Sequence, residues 1–133
     1  MFAFSDFVGV PWKERGRGPE AFDCWGLAGA VYLAGLGIEL PSLADQYASA
    51  KDKEALDRLI DGQREPWTAV TRGRAFDLVL MRERPWHVGI VTRPGFMLHM
   101  PAGGTSVIEP YTTGRHACRV EGIYRHESQL AIA

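Results

Sequence analysis

The spacing of apolar residues along the chain changes once. Upstream, Trp25, Ala28, Val31, Tyr32 and Ala34 or Gly35 recur at helical spacing, which predicts a helix over residues 22–35. Asp23 suits its start as a cap or first-turn acid, and Gly37 its end, with Pro41 beyond. Gly26 and Gly29 inside this helix cost about 1 kcal/mol each against alanine, which predicts a close neighbour there. "LADQYASA" and "KDKEALDRLIDG" read as one or two surface helices. Leu56, Leu59 and Ile60 form the buried stripe, and the charges of "KDKEALDR" form the solvated face. Then the period shortens. "FDLVLM", "HVGIVT", "GFMLHM", "TSVIEP" and "VEGIYRH" are short apolar or alternating runs separated by glycine, proline or charge, the pattern of an antiparallel meander. "GVPWKERGRGPEA" is a loop, and residues 1–8 form a short helix or strand. Helices first and strands afterwards predict an α+β fold. With no repeat, low-complexity tract or linker, residues 1–133 read as a single domain.

Composition narrows the function classes. Basic and acidic residues number 15 and 16, and no Lys/Arg run occurs, so a nucleic-acid partner is not expected. No stretch approaches the roughly 20 apolar residues of a membrane span. "MFAFSDFVGVPW" carries Asp6 and lacks a basic start and a long apolar run. The expectation is a chain made in the cytoplasm without its own export signal. The 2 cysteines, Cys24 and Cys118, are too few for a disulfide framework, although the two could pair.

Candidate chemistry gathers in two places. Within "WHVGIVTRPGFMLHM", two strand-like runs flank the turn "TRPG". A hairpin centred on Arg93 sets His87 directly opposite His99 on one face, with Gly89, Val91 and Met97, whereas a one-residue slip separates the histidines. Gly89 leaves room for another element. The second place is Cys24, at the first turn of the predicted helix, where unpaired N–H groups and the helix dipole favour thiolate. Three readings are open for it. It can be a buried packing residue. It can be a zinc ligand beside His87 and His99, although no CxxC or HxxxH spacing is present. It can also be a nucleophile with His87 as base, His99 orienting His87, and the Cys24 backbone N–H holding the oxyanion. The nucleophile suits the address best. Trp86 is assigned to the core, His116 and His126 to the surface, and Cys118 to no catalytic role.

"GVPWKERGRGPEAFDCWGLAGAVYLAGLGIELP" resembles the opening of the NlpC-type cell-wall cysteine peptidases, a papain-like α+β family. The shared features are Gly9, Pro11 and Trp12, the block Phe22 to Leu27, and Gly37 to Pro41. Downstream, "FDLVLM" with Asp77, "HVGIV" and "MLHMPAGG" continue the resemblance, which covers about residues 9–125. It implies N-terminal helices, one carrying the nucleophile, packed on a C-terminal antiparallel sheet. It implies a Cys24–His87–His99 triad with no metal and no cofactor, acting on peptidoglycan stem or cross-link peptides. Asp23 would bind the free amine of the stem peptide, and Trp12 and Trp25 would line the substrate groove. Trp25 replaces the family's common serine, Trp12 its usual tyrosine, and Phe76 its usual glycine. The Cys-Trp-Gly form resembles the branch carried at the tail tip of phages and gene transfer agents. That branch implies tail-tip or hub proteins as partners and delivery to the wall by the particle. A tail-tip assembly protein without activity, or an acyltransferase or deamidase on the same scaffold, remain as alternatives.

Overall fold

The computed structural model describes residues 2–13, 16, 18, 20–40, 67–82, 87–101 and 103–130. A 3₁₀ turn at Phe4–Phe7 precedes the helix α1 (Cys24–Leu36). Six strands follow among the described residues: β1 (Trp67–Val70), β2 (Leu78–Met81), β3 (His87–Arg93), β4 (Phe96–His99), β5 (Val107–Pro110) and β6 (Val120–His126). All pair antiparallel in one sheet of order β1-β6-β2-β3-β4-β5. The expected α+β arrangement is therefore present. The five strands expected from the pattern all form, but two features depart from a simple meander. β1 was not foreseen, and β6 returns across the sheet to lie between β1 and β2. The surface helices expected over 43–62, and Trp86, lie outside the described residues.

The helix starts and stops where its polar residues allow. The Asp23 carboxylate accepts a hydrogen bond from the Gly26 N–H at 2.7 Å, a cap on an orphan donor of the first turn. At the other end Gly37 is left-handed (φ 69°), and the N–H groups of Gly37 and Ile38 return to the carbonyls of Leu33 and Tyr32. Trp25, Leu27, Ala28, Val31 and Tyr32 bury one face against the sheet. They join Leu78, Leu80, Val88, Ile90, Leu98 and Met100 in one core cluster, and α1 packs on β3 and β4. On the other face of the sheet, Val79, Met81, Val91, Met97 and Tyr111 form a second cluster. The close neighbour expected at Gly29 is not found among the described residues, where a Cβ would meet nothing within 4 Å. Gly26, Gly29 and Leu33 instead line a cavity of about 890 Å³ shared with Phe7, Phe22 and Leu40.

Asp77 fixes the entry to β2. It is fully buried, and its two carboxylate oxygens accept from Arg125 Nε at 2.9 Å and Nη2 at 2.8 Å, with the Arg74 N–H adding a third bond at 2.8 Å. The pair joins β6 to the turn before β2. Removing Asp77 leaves the half-buried Arg125 and the Arg74 N–H without their acceptor, so Asp77→Ala is expected to cost roughly 1–3 kcal/mol. Urea denaturation measures this, and a loss under about 1 kcal/mol would show that the pair is not a structural tie.

Candidate functional site

Cys24 is the first residue of α1 and is buried. Its position is fixed by the segment just before it. Phe22 N–H donates to the Pro11 carbonyl at 3.2 Å and Lys13 N–H to the Phe22 carbonyl at 3.0 Å. On its other side this N-terminal segment bonds to the connection between β4 and β5, with Trp12 N–H on the Gly104 carbonyl at 3.0 Å and Gly9 N–H on the Ser106 carbonyl at 2.8 Å. Residues 9–13 thus tie the start of α1 to the chain that leaves His99. The loop between them closes tightly: a Cβ on Gly16 would stand 2.8 Å from both the Lys13 carbonyl oxygen and the Phe22 Cα.

His87 opens β3 and His99 closes β4, so both occupy one end of the sheet. Their rings meet: His87 Nε2 lies 2.7 Å from His99 Nδ1. The expected hairpin register is corrected by two residues. Gly89, not His87, stands opposite His99, because the turn is Pro94–Gly95 and the ladder shifts between Val91 and Arg93. A two-residue shift keeps the face, so the histidines still share one. Gly89 makes their contact possible. A Cβ there would lie 2.8 Å from Met97 Sδ and 3.3 Å from His99 Cβ, against the base of the His99 side chain.

Two further residues belong to this cluster, and the sequence reading missed both roles. Glu109 on β5 places Oε2 2.6 Å from His99 Nε2 and 3.1 Å from His116 Nε2. Arg115 Nη2 reaches Glu109 Oε1 at 3.2 Å. His116, expected at the surface, is buried, because the 3₁₀ turn Gly114–Arg119 folds it under onto the carboxylate. For Glu109 a signal existed: Met97 pairs with Glu109, and strand alternation then gives Glu109 the same face as His99. For His116, flanked by Arg115 and Arg119, the charged context pointed the wrong way.

The other expected residues are placed as follows. Asp23 is fully buried as the cap. Trp25 is 1% exposed and belongs to the core cluster, and Trp12 is half-buried in a bridge to Phe22. Cys118 is exposed, and neither cysteine is in a disulfide. The donor set that could hold a divalent ion among the described residues is His99, Glu109 and His116, within 4.8 Å of one another, rather than Cys24 with the two histidines. Ligand atoms around a tetrahedral zinc stand about 3.3 Å apart. The 2.6 Å contact of His99 with Glu109 is a hydrogen bond and would have to open.

Residues 9–124 match the NlpC/P60 family. The chain belongs to that family. Three solved structures share its fold. One is an NLP/P60-family protein of Staphylococcus aureus described as similar to a lipoprotein (21% identity, TM-score 0.65, 91% of this chain, 38% of that one). Another is the NlpC/p60 domain of the peptidoglycan hydrolase SagA (20%, TM-score 0.60, 91% of each). The third is an NlpC/P60 protein of Bacillus cereus (21%, TM-score 0.60, 92% of this chain, 37% of that one). The chain thus spans under two fifths of the Staphylococcus and Bacillus proteins. Comparison with curated protein sequences finds no match. With this family's papain-like α+β fold, the sheet end carrying the histidine pair becomes the place to look for chemistry.

Electrostatics fix the resting charge there. Burial, then the neighbouring His99 and His116, lower the His87 pKa to about 3, against the opposing pull of Glu109. His87 is therefore a neutral base at neutral pH. Burial alone would raise the Glu109 carboxyl. The hydrogen bonds from His99 and His116 and the charge of Arg115 outweigh it and hold the group low, at about 2.

Both shifts have the same consequence for folding. Between the folded and the ordinary value the unfolded chain binds the extra proton, so stability falls on acidification, from pH 6.5 downward for His87 and from 4.5 for Glu109. His126, whose pKa burial also lowers, adds to the upper window. Thermal unfolding between pH 7 and 4.5 is expected to show a falling Tm, with a shallower fall in His87→Gln. An identical slope in the variant would show that His87 is not held neutral.

Proposed function

We propose that the chain is a cysteine peptidase that hydrolyses peptide bonds in the stem or cross-link peptides of bacterial peptidoglycan, through Cys24, His87 and His99. One observation carries the reading: the family's two histidines are hydrogen-bonded at 2.7 Å, at the sheet end to which residues 9–13 tie the start of α1. Membership of the NlpC/P60 family supports it, as does the fold shared with the SagA peptidoglycan hydrolase domain.

In this reading the thiol meets His87 around the first residue of β3. His87 takes the Sγ proton as sulfur attacks the scissile carbonyl. The Cys24 backbone N–H at the helix start, aided by the dipole, receives the developing oxyanion. The C–N bond then breaks as His87 returns the proton to the departing amine, and water hydrolyses the thioester with His87 again as base. His99 holds the imidazole in place throughout. Asp23 acts through its cap, which sets the first turn. Trp12 and Trp25 line the substrate groove in this reading.

The finer placement, a component of a phage or gene-transfer-agent tail tip beside hub proteins, rests on the Cys24-Trp25-Gly26 form. Among the described residues no helix is long and apolar enough to cross a membrane.

Purified protein incubated with muropeptides and whole sacculi tests the activity. Release of new amino termini is expected, reduced at least about a thousandfold in Cys24→Ala. A wild-type protein that leaves both diaminopimelate-type and Lys-type substrates intact, while correctly folded, would overturn the assignment.

A further inference from the structure

We infer that Glu109 is a fourth member of the site, a positioning residue that acts through His99 to leave the Nδ1 nitrogen of His87 as the free base. The inference rests on the cysteine-peptidase reading above and adds what sets the state of its base.

The argument follows the hydrogen bonds inward. An ionised carboxylate can only accept. At 2.6 Å from Glu109 Oε2, His99 Nε2 must therefore carry a proton. A neutral imidazole has one N–H, so His99 Nδ1 is then a lone pair. His87 Nε2, 2.7 Å away, must supply the proton of that bond. His87 Nδ1 is left unprotonated. With His99 neutral, reversing either bond would set two protons or two lone pairs against each other, so the carboxylate dictates both tautomers in the row. Without Glu109, both rings can flip together, and the alternative tautomer presents an N–H where a base is required. When His87 accepts the thiol proton, it carries two N–H groups and the row stays intact. The positive charge then sits two hydrogen bonds from a fixed negative one.

Glu109 is itself held. His116, buried on the 3₁₀ turn, meets the same oxygen at 3.1 Å, and Arg115 lies 3.2 Å from the other. Among the described residues the titratable or charged groups of this cluster are His87, His99, Glu109, His116 and Arg115, with Cys24 at the start of the helix packed on β3 and β4.

Two variants and two readouts test this. Glu109→Gln keeps the shape and an acceptor but loses the charge, and Glu109→Leu loses both. Both should lower kcat on muropeptides with KM little changed, roughly tenfold for Gln and about a hundredfold or more for Leu. Losing the charge makes the imidazolium less favourable, so the acid limb of the rate profile should move to lower pH in both variants. A role confined to folding would lower Tm and leave that limb in place. Independently of activity, ¹⁵N NMR of the imidazoles should show His87 and His99 both protonated at Nε2 in the wild-type protein, with that preference lost in Glu109→Leu. An active wild-type enzyme whose histidines carry Nδ1–H, or whose acid limb and kcat are unmoved by either substitution, would overturn the inference alone. An inactive wild-type protein with the stated tautomers would instead overturn the peptidase reading.

Discussion

The register of β3 on β4 is the constraint on which the site depends. The Pro94–Gly95 turn and the irregularity between Val91 and Arg93 set Gly89 beside His99, and the ladder continues with His99 beside Val107. His87 then lies two residues to one side of that row and Glu109 two residues to the other. The line His87, His99, Glu109 runs obliquely across three strands, and alternation puts all three on one face. A slip of one residue in the hairpin would turn the histidines to opposite faces. The two imidazoles meet edge-on, with centroids 5.0 Å apart at 79°, which a side chain at position 89 would obstruct.

Much of this was legible in the sequence because local rules and tertiary packing agree. The helix shows in its apolar spacing, its Asp23 cap and its Gly37 stop, and five strands show in their alternation. β1 was missed because only Trp67 of Trp67–Val70 is buried, which leaves no apolar alternation to read, and its partner β6 is what makes it a strand. The register was misjudged by two because an irregularity at the turn leaves no trace in residue type, whereas the shared face survived because it depends on parity alone. The histidine pair was foreseen as a pair. Its continuation to Glu109 and His116 depends on how β5 and a 3₁₀ turn come back over the sheet, and nothing local in "TSVIEP" or "GRHACR" encodes that.

One local rule is broken, and the packing explains it. Phe76 has φ 75°, the one positive value among the described non-glycine residues. A left-handed residue with a side chain costs roughly 1–2 kcal/mol. Against this, the Phe76 ring packs on Phe2 at 5.4 Å, Phe4 at 4.9 Å and Tyr32 at 6.1 Å, and aromatic pairs contribute about 0.5–1.5 kcal/mol each beyond buried area. The Phe76 carbonyl also accepts from the Tyr32 hydroxyl on α1. The ring fits because Gly35 is bare: a Cβ there would stand 2.6 Å from it. The pairing of Phe76 with Gly35 therefore fastens the end of α1 to the turn that Asp77 anchors, and these contacts offset the strain at Phe76.

The distribution of charge around the histidines follows from what burial costs. An ionised group deep in the sheet would be penalised heavily, whereas a neutral imidazole pair with its mutual hydrogen bond satisfied is not. His87 and His99 are 6% and 2% exposed and are joined by that hydrogen bond. The permanent charges stand at the rim, with the Glu109 side chain 24% and that of Arg115 69% exposed, where water offsets most of their cost. The potential from a rim charge falls off only inversely with distance, and the buried rings between offer little screening. The fold thus keeps a polarising carboxylate within electrostatic reach of His87 without placing a fixed charge beside it. The two histidines, not one, are what allow that separation, because His87 stays one ring removed from the carboxylate that His99 meets.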